Sequence, residues 1–396
     1  MRPKFNKMHP LIKNFNHNFV TNVHFNVDIK KKVKQILNRN RWKNLCIIID
    51  RNLTNVTAIN QFIISLKSYN LYIITCDVSE PTYKHLEEKR ISKDKIKIDV
   101  FIGIGGGSSI DFTKGLAVLY TNNKAAIKYR GFNKFKKPIK PIIAIPTTSG
   151  TGSEITPNAS FVNNTDKRKM GINGEAIRPK YALMDPKLTL SCPKFSTISA
   201  AVDSLVHSTE AFVAKKTNPI AKKFAKEGFK LVIENLNKVL KHPNNIKHRE
   251  NVMLGAFLSA VALMNSGTGP AAAMSYPTGV HYKVPHGIGG GIFLPYIIKY
   301  NINNGFYGYG ELYQKNKISN ISPKEKSLNF LNEVKKNWTI FSVPKNLKKL
   351  KINYQKISLL TKDTYELKGA LQQNPVKFDK REIFNLFSEL SGVKLK

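Results

Sequence analysis

The chain has 396 residues, 41% of them hydrophobic and 23% charged, with a formal net charge of +38. That composition suits two or three packed domains, excludes a disordered chain, and contains no apolar run near the roughly 18 residues a membrane helix needs. The basic runs KKKVK (30–34), KFKKPIK (134–140) and KNLKKLK (345–351) are scattered among abundant Lys, Asn and Ile, with no RNP, KH or zinc-finger pattern, so an AT-rich coding bias explains them better than a specific nucleic-acid partner.

The basic, polar start MRPKFNKMHPLIKNFNHNF lacks an apolar segment of signal-peptide type, and a cytoplasmic location is expected. Beyond it, VDIKKKVKQILNRN reads as a helix and NLCIIID as a buried strand. TAINQFIISLKSYN (helix), LYIITCDV (strand), DVFIGIGGG (strand), SSIDFTKGLAVLYTN (helix) and KPIIAIPTT (strand) continue the alternation. Apolar runs without a polar face imply strands covered on both sides, so the expected fold is α/β, a doubly wound parallel sheet over residues 1–186. From 187 to 396 the period is helical throughout, and an all-helical second domain is expected, with the ligand cleft at the join near MDPKLTL. Cys46, Cys76 and Cys192 form no CxxC pair and read as reduced thiols.

Two loops look built for an anion. IGIGGGSS puts Gly103, Gly105, Gly106 and Gly107 between a strand and a helix, with Ser108 and Ser109 beginning the helix. Such glycines admit a phosphate close to the backbone, and the helix start supplies free N–H groups. IPTTSGTGSEITP follows the next strand and carries Thr147, Thr148, Ser149, Gly150, Thr151, Gly152 and Ser153. Neighbouring loops of this type at the carboxyl edge of a sheet make a phosphate cradle. Asp50, ending NLCIIID, is either an acceptor for a ribose hydroxyl or a turn cap.

In STISAAVDSLVHSTEAF, Asp203 and His207 are four apart and share a helix face, so they offer two ligands to one cation or form an ordinary helix pair. Glu210 lies three beyond His207 and either orients it or is solvated. The stretch GTGPAAAMSYPTGVHYKVPHG at 267–287 adds His281 and His286, with Pro277 and Gly279 as breakers before His281.

Taken together, GIGGGSSID, IPTTSGTGSE, KRKMGIN, MDPKLTLSCP, AAVDSLVHSTEAF and SYPTGVHYKVPHGIGGGIFLP resemble the iron-containing (group III) alcohol dehydrogenases, in order from about residue 20 to LQQNPVKF at 371–378. The resemblance implies a dinucleotide-binding domain, a helical domain, NAD(H) or NADP(H), a divalent metal (Fe2+ or Zn2+) between them, and hydride transfer between nicotinamide and a small alcohol or aldehyde. It assigns Asp203, His207 and His286 as metal ligands. Gly105, Gly106, Gly107 and Ser108 become the pyrophosphate loop, Thr147, Thr148 and Ser149 the second cofactor loop, and Lys169 a lysine near the cofactor. Asp50 becomes the acidic residue associated with NAD, although Arg51 beside it leaves NADP open. A homodimer is expected.

Two positions depart from the family pattern. A third histidine ligand is implied where this chain has Ala272, and a second cleft histidine, used in proton transfer, where it has Tyr276. Either His281 completes the ligand set, or Asp203, His207 and His286 hold the cation with water, or the metal has been lost. Tyr276, His281 or water is then the proton carrier. Two rival readings stand beside this one: an enzyme of the same fold acting on a sugar or phosphonate-like intermediate, and a metal-free descendant that binds nucleotide or nucleic acid through its basic surface.

Overall fold

The computed structural model describes residues 15–313 and 320–393. Most of the basic start, on which the signal-peptide expectation rests, lies outside the described residues. In chain order the first half comprises β1 (Asn22–Phe25), α1 (Ile29–Arg39), β2 (Asn44–Asp50), α2 (Thr57–Ser65), β3 (Asn70–Cys76), α3 (Tyr83–Glu88), β4 (Val100–Gly105), α4 (Gly107–Thr121), β5 (Gly131–Phe132), β6 (Ile142–Pro146), β7 (Asn158–Asn163), β8 (Arg168–Asn173) and β9 (Tyr181–Met184). Helices follow: α5 (Lys194–Val213), α6 (Pro219–Lys241), α7 (Ile246–Met264), α8 (Pro270–Tyr282), α9 (His286–Asn303), α10 (Pro323–Ile340), α11 (Tyr354–Tyr365), α12 (Lys368–Leu371) and α13 (Lys380–Ser391).

Strand β2 shows why the first half is doubly wound. Leu45, Ile47 and Ile49 pack on one side with Val33, Leu37 and Phe62 of α1 and α2. Cys46 and Ile48 pack on the other with Leu86 and Phe112 of α3 and α4. A strand apolar on both faces needs cover on both. The six-stranded sheet is parallel, in the order β1-β9-β6-β4-β2-β3. From β2 the chain steps outward to β3 and returns on the other side as β4. The switch point therefore falls between β2 and β4, where Asp50 and Gly105 end their strands. Crevices form outside the carboxyl ends of strands at such points.

Two features differ from the sequence reading. A second, three-stranded sheet, β5-β8-β7, includes an antiparallel hairpin of β7 and β8, and a short β1 extends the main sheet. These strands are two to six residues long with partly polar faces, too weak a pattern to read unaided. Also, α8 runs through Pro277 and Gly279 to Tyr282. Proline removes one helix bond, but the surrounding helices bury Ala271 to Ser275 and Pro277 to Gly279, and that packing outweighs the local propensity. No helix among the described residues is long and apolar enough to cross a membrane.

Candidate active site

The two glycine-rich loops meet. Gly105 has a φ of +147°, a conformation that favours glycine, and a Cβ there would lie 2.8 Å from Ser109 and 3.0 Å from the Asp50 Cβ. Thr147 N–H donates to Gly105 O at 2.9 Å, tying the second loop to the first. A Cβ on Gly106 would meet Thr148 at 3.4 Å, and one on Gly107 would meet Thr151 at 2.7 Å. Helix α4 starts at Gly107 with no side chain capping it, so its first N–H groups point free into this cradle. Ser109 Oγ is buried without a partner among the described residues. Ser108 differs from expectation: its hydroxyl donates to Ser79 O, so its position is set by the loop after β3. Ser149 sits half-buried on the second loop. Asp50 caps the following turn through Oδ1, accepting from Asn52 N at 2.9 Å and Asn52 Nδ2 at 3.1 Å. Both readings of Asp50 are thus compatible, since Oδ2 remains for another donor.

The second loop also reaches the helical half. A Cβ on Gly150 would collide with the backbone carbonyl of Ala200, three residues before Asp203 on α5. The phosphate cradle and the Asp–His helix are therefore neighbours. On α5 both Asp203 and His207 are buried, with His207 Nε2 at 3.5 Å from Asp203 Oδ1. Helix α9 begins at His286, and Gly287 lets it approach α5 closely: a Cβ there would strike Ser199 O and lie 2.8 Å from the Asp203 Cβ. His286 Nε2 comes to 3.8 Å from the same Asp203 Oδ1. The donor atoms of Asp203, His207 and His286 all lie within 4.8 Å of one another.

The hydrogen bonds fix how His286 presents itself. Ser275 Oγ donates its one proton to Ala272 O at 2.6 Å and lies 2.6 Å from His286 Nδ1. The hydroxyl must accept from the ring, so Nδ1 carries the proton and Nε2 turns a lone pair toward Asp203. Burial, with Lys169 and His207 nearby, pulls the His286 pKa down to about 4 against the pull of Asp203, so the imidazole is neutral at neutral pH. A neutral imidazole lone pair facing a buried carboxylate fits a cation between them. His207 turns its Nε2 to the same carboxylate at 3.5 Å, and its Nδ1 is buried with no partner among the described residues.

The cleft wall is polar. Tyr276 stacks edge-on against His286 with centroids 4.8 Å apart, and Lys169 Nζ lies 5.8 Å from the Tyr276 ring. Burial raises the Tyr276 pKa, with Lys169 opposing. Lys169 Nζ pairs with Glu80 Oε2 at 2.6 Å. Burial works against the ammonium, but Glu80 outweighs it and holds the pKa above the ordinary value. Behind them, buried Lys114 donates to Ser153 Oγ at 3.0 Å, Thr156 O at 3.0 Å and Asn158 O at 2.7 Å, and pairs with Asp111 at 3.8 Å. Asp111 in turn accepts from Ser153 Oγ and from Ser160 N at 2.9 Å. This network locks the second cofactor loop to α4 and to the β7–β8 hairpin. Glu80, Lys114 and Ser275 were not singled out from sequence. Only the spacing Asp111–Lys114, three apart on a helix, was a usable signal.

Models of two domains match the chain: "Iron-containing alcohol dehydrogenase" over residues 21–186 and "Fe-containing alcohol dehydrogenase family, C-terminal" over 197–391. The chain belongs to the iron-containing alcohol dehydrogenase family. Among relatives, the NAD-dependent methanol dehydrogenase of Bacillus methanolicus is 33% identical over 282 residues, 70% of this chain and 73% of that one. The long-chain-alcohol dehydrogenase 1 of Geobacillus thermodenitrificans is 28% identical over 84% of this chain and 86% of its own. The fold matches a crystal structure of 1,3-propanediol oxidoreductase with a TM-score of 0.88, at 23% identity and over 96% of this chain and 100% of that one. As a member of the iron-containing alcohol dehydrogenase family, the protein is an NAD(P)-dependent alcohol dehydrogenase, an oxidoreductase whose family chemistry uses a nicotinamide and a divalent metal.

Within this iron-containing alcohol dehydrogenase, two expected placements do not occur. His281 is not brought to the metal cluster. It lies on α8 beyond the turns that face His286, and its Nε2 donates to Asp363 Oδ2 at 3.0 Å, so it neither completes the ligand set nor sits beside Tyr276 at the cleft. Glu210 does not orient His207. It accepts from Gly269 N and Ala271 N, both at 2.7 Å, and so caps the start of α8. Ala272 shares the helix face of Tyr276, one turn earlier, and is 2% exposed.

Proposed function

We propose that this protein interconverts a small alcohol and its aldehyde by reversible hydride transfer to NAD(H), in the cleft between the β2/β4 switch point and helices α5, α8 and α9. The observation that carries the reading is the convergence of Asp203, His207 and His286 one turn from the point where the second glycine loop touches α5. Those three side chains would hold the divalent metal, which when bound supplies Lewis acidity at the substrate oxygen. Fe2+ and Zn2+ both suit one carboxylate and two imidazoles. Because Ala272 offers no donor, Asp203, His207 and His286 would be the protein's three ligands, leaving room for water or substrate.

The chain's own groups do the rest. The free N–H groups of α4 and the Thr147, Thr148 and Ser149 loop bind the pyrophosphate. Asp50, beside Gly105, accepts from a ribose hydroxyl, and its charge disfavours a 2′-phosphate, which supports NAD over NADP. Lys169, held by Glu80, faces the cleft beside Tyr276. Tyr276 fills the place of the family's second cleft histidine and carries the substrate proton at its phenolic oxygen, where burial raises the pKa and Lys169 opposes that rise.

A panel of short aldehydes and alcohols tested with NADH/NAD and with NADPH/NADP on metal-loaded protein checks the reading. Turnover with NADH and C2–C6 aldehydes supports it. Turnover confined to NADPH, or none with any aldehyde, refutes it.

A further inference from the structure

His281, the histidine that does not reach the metal cluster, belongs to another constellation. Its Nε2 donates to Asp363 Oδ2 at 3.0 Å, and Arg168 Nε donates to Asp363 Oδ1 at 3.2 Å. Asp363 lies on α11 with its side chain only 8% exposed, so both carboxylate oxygens are engaged in a nearly dry setting. Three elements meet there: α8, α11 and the first residue of β8. Arg168 is the only one of the three from the α/β half. The next residue on β8 is Lys169, which turns to Glu80 and the Tyr276 ring.

We propose that Asp363 is a positioning residue for the reaction. It joins Arg168 of the β7–β8 hairpin to His281 of the helical half and thereby fixes Lys169 on the cofactor side of the cleft. On the helical side the hairpin also packs on α8, and on the other side it is held by the Arg130–Asp166 pair and by Tyr83 Oη donating to Met170 O at 2.9 Å, with Asp363 holding its Arg168 end. It is exposed at Met170, and its tip runs through Thr165 and Asp166, where Lys167 has a φ of +53°. A partly buried carboxylate held by two cationic or polar donors is directional and hard to replace by water. Without the bridge the strand gains freedom, and the Lys169 ammonium spends less time at the site where the cofactor binds.

The inference rests on the reading that Lys169 lies at the cofactor, and the test separates the two. NADH binding is measured by energy transfer from protein to NADH, alongside steady-state kinetics and thermal unfolding. Asp363→Asn and Arg168→Met should each weaken NADH about tenfold, a single decade in Kd. The turnover number at saturating NADH should stay within about twofold and the unfolding midpoint should hold. The double variant should be no worse than either single one, because both act through one bridge. Arg168→Lys should recover most of the affinity. If Asp363→Asn does not fold, Arg168→Met and the conservative Arg168→Lys carry the same comparison. Unchanged NADH affinity, or a uniform loss of stability and every kinetic parameter, overturns the inference. Lys169→Ala is the separating control: if it weakens NADH while Asp363→Asn does not, only the positioning role fails, and if Lys169→Ala has no effect, the cofactor role of Lys169 fails and takes the inference with it.

Discussion

Ser275 accepts the Nδ1 proton of His286 across 2.6 Å while giving its own proton to Ala272 O. One hydroxyl thus decides which nitrogen of the imidazole faces Asp203. Ser275→Ala keeps the helix packing and removes that decision. Divalent-metal affinity should fall ten- to a hundredfold, the usual range for losing the partner of a ligating histidine. Competition with a chelating dye measures it, and an unchanged affinity would mean that packing alone orients the ring.

Tyr276 tests the proton step. Tyr276→Phe retains the ring stacked on His286 and loses only the phenolic oxygen. Turnover should fall about a hundredfold with KM little changed. Equal turnover in the two proteins would transfer the proton role to water.

Gly287 controls the distance between the helices that carry the ligands. A methyl there meets Ser199 O and the Asp203 Cβ, so Gly287→Ala must push α9 away from α5. We expect a stability loss of about 1–3 kcal/mol, typical of overpacking, and loss of bound metal at stoichiometric concentration. Denaturant melts and metal analysis check both, and a variant that keeps wild-type stability and metal contradicts the geometry.

Lys114 is buried among four oxygens, and its removal takes the nearby cation from Asp111 and Glu154, whose pKa values burial already raises. Lys114→Met should cost about 3–5 kcal/mol, the range for breaking a buried ion pair from one side. A loss below about 1 kcal/mol would show that the two carboxyls rest there as neutral acids.

Glu210 supplies a pH test. Burial, with Asp203 adding, raises its pKa to about 7 despite the three backbone N–H groups it accepts from. The folded state therefore holds a proton that the unfolded chain has released. The resulting stability is present below about pH 4.5 and is lost as pH rises toward 7, in total on the order of 3 kcal/mol. In metal-free protein, urea melts should show that decline, and Glu210→Gln should flatten it. Parallel curves for the two proteins would contradict the assignment.

Much of this was legible in the sequence because it depends on short-range pattern. NLCIIID and VFIGIG are apolar on both faces and could only be covered strands, and the glycines after them announce a close backbone approach. Asp203 and His207 share a face by spacing alone. What stayed hidden depends on distant segments. Glu80 and Lys169 are separated by 89 residues, and Arg168 and Asp363 by 195. Nothing in the local pattern distinguishes them from solvated charges. His281 invited a metal role because it lies five residues from His286 in sequence, yet α8 continues past Pro277 and carries it to Asp363. Glu210 invited pairing with His207, but the free N–H groups at the start of α8 were the stronger attraction for a buried carboxylate.

The central claim is that Asp203, His207 and His286 hold one cation. Metal analysis of protein purified anaerobically without added metal, beside His286→Ala prepared the same way, tests it most directly. The account predicts close to one divalent ion per chain in the parent and a small fraction of that in the variant, with NADH-linked turnover falling in step. Equal metal content in the two preparations, or none in the parent even after incubation with Fe2+ or Zn2+, would contradict it.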